Sequence, residues 1–108
     1  MNTTTVDAVE RLVLDAQTCH GRRQEERHPF FSAVTVGTVD GSGSRKYSAF
    51  SRDISMSGMG LLHNVPLSPG MVVLTLSRPE GPVSIRAELM WCRPCGEGWY
   101  LSGARFLA

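Results

Sequence analysis

From Val83 to Trp91 the chain follows one rhythm. Val83, Ile85, Ala87, Leu89 and Trp91 alternate with Ser84, Arg86, Glu88 and Met90. A period of two puts the first set on one face of a β-strand, and a buried face needs a second layer to cover it. Five other runs read as strands: Phe30–Val39, Lys46–Ser55, Gly58–Asn64, Met71–Ser77 and Trp99–Leu107. Asp40–Ser44, Val65–Gly70, Arg78–Pro82 and Cys92–Gly98 carry the Gly, Pro and Ser residues that punctuate them as turns or loops. Six short strands at regular spacing predict an all-β chain, a sandwich or a barrel. With so few strands, a closed six-stranded antiparallel barrel best removes the exposed edges.

Ahead of the strands, Val6–Thr18 predicts a helix, with Val6, Val9, Val13 and Ala16 on one stripe. Thr4 and Asp7 have capping-box spacing, and Gly21 suits the C-terminal end. The chain therefore divides into an N-terminal helical segment, 1–21, and a barrel domain, 22–108. At 108 residues there is room for one domain, and none for a (β/α)8 enzyme barrel of about 250 residues. The formal net charge of +1 gives no global field for long nucleic acids. Of the 11 basic residues only Lys46 is Lys; the rest are Arg, whose planar fork grips phosphate or a guanine edge in a bidentate manner. Residues 21–29, GRRQEERHP, concentrate charge with no apolar anchor before Phe30, which reads as a loop or a ligand arm.

Cys19, Cys92 and Cys95 make an odd count, unlike a secreted disulfide framework. No signal-peptide pattern opens the chain, and the uncharged stretch Ile54–Ser77 is broken by Gly, Pro, Asn and Ser. A cytoplasmic protein without a membrane span is expected. Cys92–Arg93–Pro94–Cys95 could be half a zinc knuckle, with Cys19 and His20 the adjacent pair available to complete it, but two incidental thiols in a hairpin is the favoured reading. No Ser lies in a G-x-S-x-G elbow and no paired carboxylates stand out, so neither catalysis nor a metal or cofactor is expected.

Two motifs remain. Arg23 and Arg27 form R-x-x-x-R, which a chain with this much Arg produces about 0.9 times by chance. Asp53-Ile54-Ser55-Met56-Ser57-Gly58 forms [D/N]-x-S-x-x-G, for which about 0.06 occurrences are expected. Together they describe an anionic guanine ligand. Each Arg can hold a phosphate or the O6/N7 edge and can stack on a base. An Asp carboxylate accepts from guanine N1–H and N2–H₂, a Ser hydroxyl adds a short adaptable contact, and Gly58 would permit a positive φ and close backbone approach.

As a set, Arg23, Arg27, Asp53, Ser55 and Gly58 resemble the PilZ domains, bacterial receptors for cyclic di-GMP. Val83–Trp91 is similar to the family's late strand ending in Trp, and Gly103–Leu107 to its final strand. The resemblance spans Arg22–Leu107. It implies a six-stranded antiparallel barrel, no enzymatic activity and no obligatory metal. It implies that cyclic di-GMP sits outside the barrel, between the Arg loop and the Asp53–Gly58 turn. Arg23 and Arg27 would hold guanine and phosphate, and Asp53 and Ser55 would read a guanine edge. One ligand molecule and a stacked pair both occur in the family; the extra Arg22 favours the pair, with its guanidinium on the second molecule. The output would pass to an unidentified downstream protein, with no DNA or RNA partner. Ligand would order the loop 22–28. The alternative is a small barrel that binds single-stranded nucleic acid or a protein through exposed aromatics, against which Phe30, Phe50, Trp91 and Phe106 read as core residues.

Overall fold

The structure, a computed structural model, describes residues 9–10, 12–14, 27–40 and 43–107, with Val39 and Asp40 as backbone only. Seven strands follow one another: β1 (His28–Pro29), β2 (Ala33–Asp40), β3 (Gly43–Ile54), β4 (Gly58–His63), β5 (Gly70–Arg78), β6 (Gly81–Gly96) and β7 (Trp99–Phe106). Every pairing is antiparallel. The order β3-β2-β5-β6-β7-β4 closes on itself through a β3–β4 ladder, and β1 adds to the far end of β3. The six-stranded antiparallel barrel is thus formed by β2–β7. β3 is its shared seam: residues 43–50 pair with β2, and residues 49–54 with β4.

Alternation fills the interior. Val34 and Val36 of β2, Met59 and Leu61 of β4, Val72, Leu74 and Leu76 of β5, and Ile85, Ala87 and Leu89 of β6 all point inward and are buried. Each large aliphatic side chain so placed contributes about 1.5–3 kcal/mol of burial. Residues 9–10 and 12–14 are helical, and Val9, Leu12 and Val13 belong to the same core cluster. Val6 and Ala16 of the expected stripe, the capping box, Gly21, Cys19 and His20 lie outside the described residues.

One polar pair sits inside the barrel. His63 Nδ1 lies 2.6 Å from the Val65 carbonyl oxygen, and Nε2 lies 2.6 Å from Ser102 Oγ. A carbonyl only accepts, so Nδ1 carries the proton and Nε2 accepts from the Ser102 hydroxyl. Tyr100 stacks alongside the imidazole at 6.1 Å. The pair ties β4 to β7, and its polar atoms are satisfied where water does not reach.

The strands depart from the sequence reading in four places. Residues Phe30–Ser32 precede β2 rather than forming its start, while His28–Pro29, expected in the charged loop, pairs with Ile54 and Asp53. His28 is fully buried, and the Phe30 amide donates to the Arg52 carbonyl at 3.0 Å. The segment therefore has an anchor ahead of Phe30. β3 begins at Gly43 instead of Lys46, paired back to Asp40. Cys92–Gly96, expected in a turn, continues β6, and only Glu97–Gly98 turns the chain. β5 leaves β6 at Leu89, so Pro94 lies on an open edge where its missing N–H costs no ladder bond.

Candidate functional site

Two β-bulges decide which side chains leave the barrel. Between Ser51 and Asp53 the β3–β4 register shifts by one residue, and the same happens between Leu89 and Trp91 on the β6–β7 ladder. An inserted residue reverses the facing of the residues after it. Ser51 and Ile54 are buried, but Arg52 and Asp53 between them are not. Leu89 is buried, whereas Met90 and Trp91 are 47% and 40% exposed. The expectation that Trp91 belongs to the core fails for this reason. Phe50 is also outside, 50% exposed, because Ala49 and Ser51 hold the inward positions on either side of it. Phe30 is buried and Phe106 packs partly against the core, as expected.

The bulged residues face each other across two glycines. Asp53 pairs with Gly60, Gly60 with Gly103, and Gly103 with Trp91, one row across four adjacent strands. A Cβ on Gly60 would come within 2.9 Å of Asp53 Oδ1, and one on Gly103 within 2.5 Å of Trp91 Nε1. The missing side chains let Asp53 and Trp91 lie over the sheet and leave a flat floor between them. Above it is a cavity of about 300 Å³, bordered by Arg27, Asp53, Ser57, Met90, Trp91 and Arg105.

At one end Arg27 Nη1 donates to Asp53 Oδ1 at 2.7 Å, and the Gly60 amide donates to the same oxygen at 3.0 Å. Asp53 is thereby oriented from two sides, and its Oδ2 retains acceptor capacity. β1 positions Arg27, because Pro29 is paired directly with Asp53. At the other end Arg93 lies over the Trp91 ring, its Cζ 4.6 Å from the centroid. Along the rim Arg105 Nη2 donates to Glu88 Oε1 at 2.6 Å.

The remaining motif residues have structural duties. Ser55 is buried, and its Oγ accepts from the Ser57 and Gly58 amides at 3.2 and 3.3 Å. The Ser55 amide donates to the Gly58 carbonyl at 2.9 Å. Ser55 thus closes the turn beneath the site, and Ser57 rather than Ser55 borders the cavity, together with Ser102. Gly58 borders the cavity, but its φ is not among the positive ones. The close approach there is to β7, since a Cβ would fall on the Ala104 carbonyl oxygen. Arg22 and Arg23 lie outside the described residues.

Sequence reasoning missed Arg52, Ser57, Gly60, Met90, Trp91, Gly103 and Arg105 as site residues. A usable signal was present in Gly60 and Gly103, since a glycine inside a strand marks a bulge or a close approach. Cys92 and Cys95 are free thiols. Three residues apart on a strand they span roughly 10 Å, too far for a disulfide. Among the described residues no cluster of three or more His, Cys, Asp or Glu converges, and no helix is long and apolar enough to cross a membrane.

The fold is similar to that of the PilZ domain with c-di-GMP of YcgR from Escherichia coli. The TM-score is 0.56 at 20% identity, over 80% of this chain and 78% of that chain. No curated protein matches the chain. The model of the PilZ domain family matches residues 21–108, which takes in the Arg segment, both bulges and the glycine floor. The chain belongs to the PilZ domain family.

Proposed function

We propose that this protein is a receptor for cyclic di-GMP that acts by binding, without catalysis, and passes the signal to a protein partner. The observation that carries the reading is the Arg27–Asp53 pair held at the edge of the glycine floor. It offers a guanidinium to a phosphate or base and a fixed carboxylate to a guanine edge, within one cavity. Family membership and the ligand named for the YcgR domain support it. Arg23 and Arg22 would add cations from the neighbouring segment. Ser55 would act by holding the Asp53–Gly58 turn in shape.

Calorimetric titration tests the reading. Cyclic di-GMP should bind saturably, with two molecules per protomer if Arg22 holds a second, stacked molecule and one in Arg22→Leu. An oligonucleotide of equal charge should bind at least ten-fold more weakly. Equal affinity for the two would favour the nucleic-acid reading, to which the exposed Phe31, at 80%, and Phe50 lend platforms. Phe50 also forms an outer apolar band with Leu62 and Leu101, through the Phe50–Leu62 and Leu62–Leu101 pairings. A band of that kind suits contact with a downstream protein.

A further inference from the structure

Beside the cavity the outer face carries a row of side chains that the ligand site does not use. Phe50, Leu62, Leu101 and Arg93 stand abreast on β3, β4, β7 and β6, through the Phe50–Leu62, Leu62–Leu101 and Leu101–Arg93 pairings. Leu62 lies two residues from Gly60 and Leu101 two from Gly103, so the row runs alongside the glycine floor on the same side of the sheet. Its members are unequally exposed. Phe50 at one end and Arg93 at the other stand in solvent, whereas Leu62 and Leu101 between them are half-buried. The row is therefore a shallow groove of roughly 14 Å, three interstrand steps. Phe31 and Trp99 extend its apolar border. Phe31 runs beside Arg52, between the Phe30–Arg52 and Ser32–Ser51 backbone bonds, and Trp99 shares the outward side of β7 with Leu101.

Shape and charge select the occupant. Phe50, Leu62 and Leu101 are each paired on both sides, so a partner strand finds no free edge here. A span of roughly 14 Å matches about nine residues of α-helix laid across the strands, and a helical ridge at i, i+3 or i+4 and i+7 fills such a groove. The charge is of one sign. Arg52, exposed and two residues beyond Phe50, has no ion-pair partner among the described residues. Arg93 closes the far end. The carboxylate of the next row, Asp53, already accepts from Arg27 at 2.7 Å. A second copy docked about a two-fold axis would set these arginines against their own counterparts, and like charges so placed disfavour the pairing. A flat bilayer would meet Phe31 and Phe50 and leave the half-buried leucines uncovered. An acidic helix satisfies both the groove and its ends.

We infer that this groove docks an acidic amphipathic helix of the downstream protein, and that cyclic di-GMP opposes the docking through Arg52. Leu62 and Leu101 receive the apolar ridge, while Arg52 and Arg93 pair with Asp or Glu at the two ends of the helix. Arg52 also borders the cavity. A cyclic dinucleotide bound there brings two negative charges to the side of the groove. The rows are about 7 Å apart, inside the Debye length of about 8 Å at physiological salt. Helix and ligand thus draw on one cation and repel each other, and each weakens the other by the same factor. The docking stands on the groove's own residues; its opposition by ligand rests on the reading of the site as a cyclic di-GMP receptor.

Fluorescence anisotropy on the full chain tests this with two synthetic helical peptides. Both carry one leucine ridge; one has Glu at each end and the other Lys. The Glu peptide should bind saturably and the Lys peptide about ten-fold more weakly. Leu62→Glu should raise the Kd of the Glu peptide about ten-fold with an unchanged denaturation curve, because the side chain points outward. Arg52→Glu, a fully surface change, should reverse the preference between the peptides. Saturating cyclic di-GMP should raise the Kd of the Glu peptide about five-fold or more. Equal binding of the two peptides, or wild-type affinity in Leu62→Glu, overturns the dock. So does a dimer in sedimentation that Leu62→Glu dissociates, or partition onto phosphatidylglycerol vesicles that Phe50→Ala abolishes, since the band then serves a second copy or a membrane. Unchanged peptide affinity at saturating cyclic di-GMP overturns the opposition alone. A chain that fails to bind cyclic di-GMP without peptide overturns the receptor reading and the opposition, and leaves the dock standing on the peptide result.

Discussion

Arg27 and Asp53 form an ion pair whose side chains are 52% and 31% exposed, so the pair adds at most about 1 kcal/mol to folding. Its value lies in aim. Arg27→Ala should leave urea-denaturation midpoints almost unmoved while raising the Kd for cyclic di-GMP at least ten-fold, because a charge-assisted contact is worth about 1.5–3 kcal/mol. Ser55→Ala should show a different profile. It strips the acceptor from two amides, one of them on buried Gly58, and should cost about 1–3 kcal/mol of stability. Any loss of affinity in that variant should follow from a loosened turn. A wild-type denaturation curve for Ser55→Ala would remove it from the role assigned here. The motifs that contain both residues were legible in the sequence, since a motif records residue type and spacing directly; the bonds of Ser55 Oγ to the Ser57 and Gly58 amides were not. Phe50 was misread because its hydrophobicity argued for the core, whereas the strand's parity gave the inward positions to Ala49 and Ser51.

A strand's boundaries and period are easier to read than its irregularities. The alternation from Val83 to Met90 is in the structure as expected, and it fails at Trp91 because a bulge adds one residue to β6 and none to β7. No count of apolar spacing reveals that insertion, because it exists only relative to the partner strand. The same limit hid β1, a pairing of two residues set by the burial of His28 rather than by any run of strand formers. That anchor changes what hydrogen exchange should report. The Phe30 amide, bonded to Arg52, should be protected even without ligand, which sets the C-terminal limit of the fast exchange that the charged composition suggests for 22–28. Between β4 and β7, Gly58→Ala should lower stability by more than 1 kcal/mol, since a Cβ there meets backbone that cannot swing aside. Ser102→Ala should cost about 1–3 kcal/mol by leaving His63 Nε2 buried without its donor. Thermal or chemical denaturation of each variant checks both.

Across the whole barrel, neighbours in sequence pair through β2–β3, β3–β4, β5–β6 and β6–β7, while β2–β5 and β4–β7 join distant stretches. The glycine floor straddles β4 and β7. Non-local ladders form late, because their loop-closure entropy must be met before any contact rewards it. A nascent or half-open chain therefore owns the Asp53–Gly58 turn yet has nowhere to lay a ligand, and competence arrives in one step with closure. Stopped-flow kinetics should show this as an asymmetry: cyclic di-GMP slows unfolding and leaves the folding rate unchanged. In a cell, chains still on the ribosome would then draw nothing from the second-messenger pool, and every molecule that binds would be a finished one.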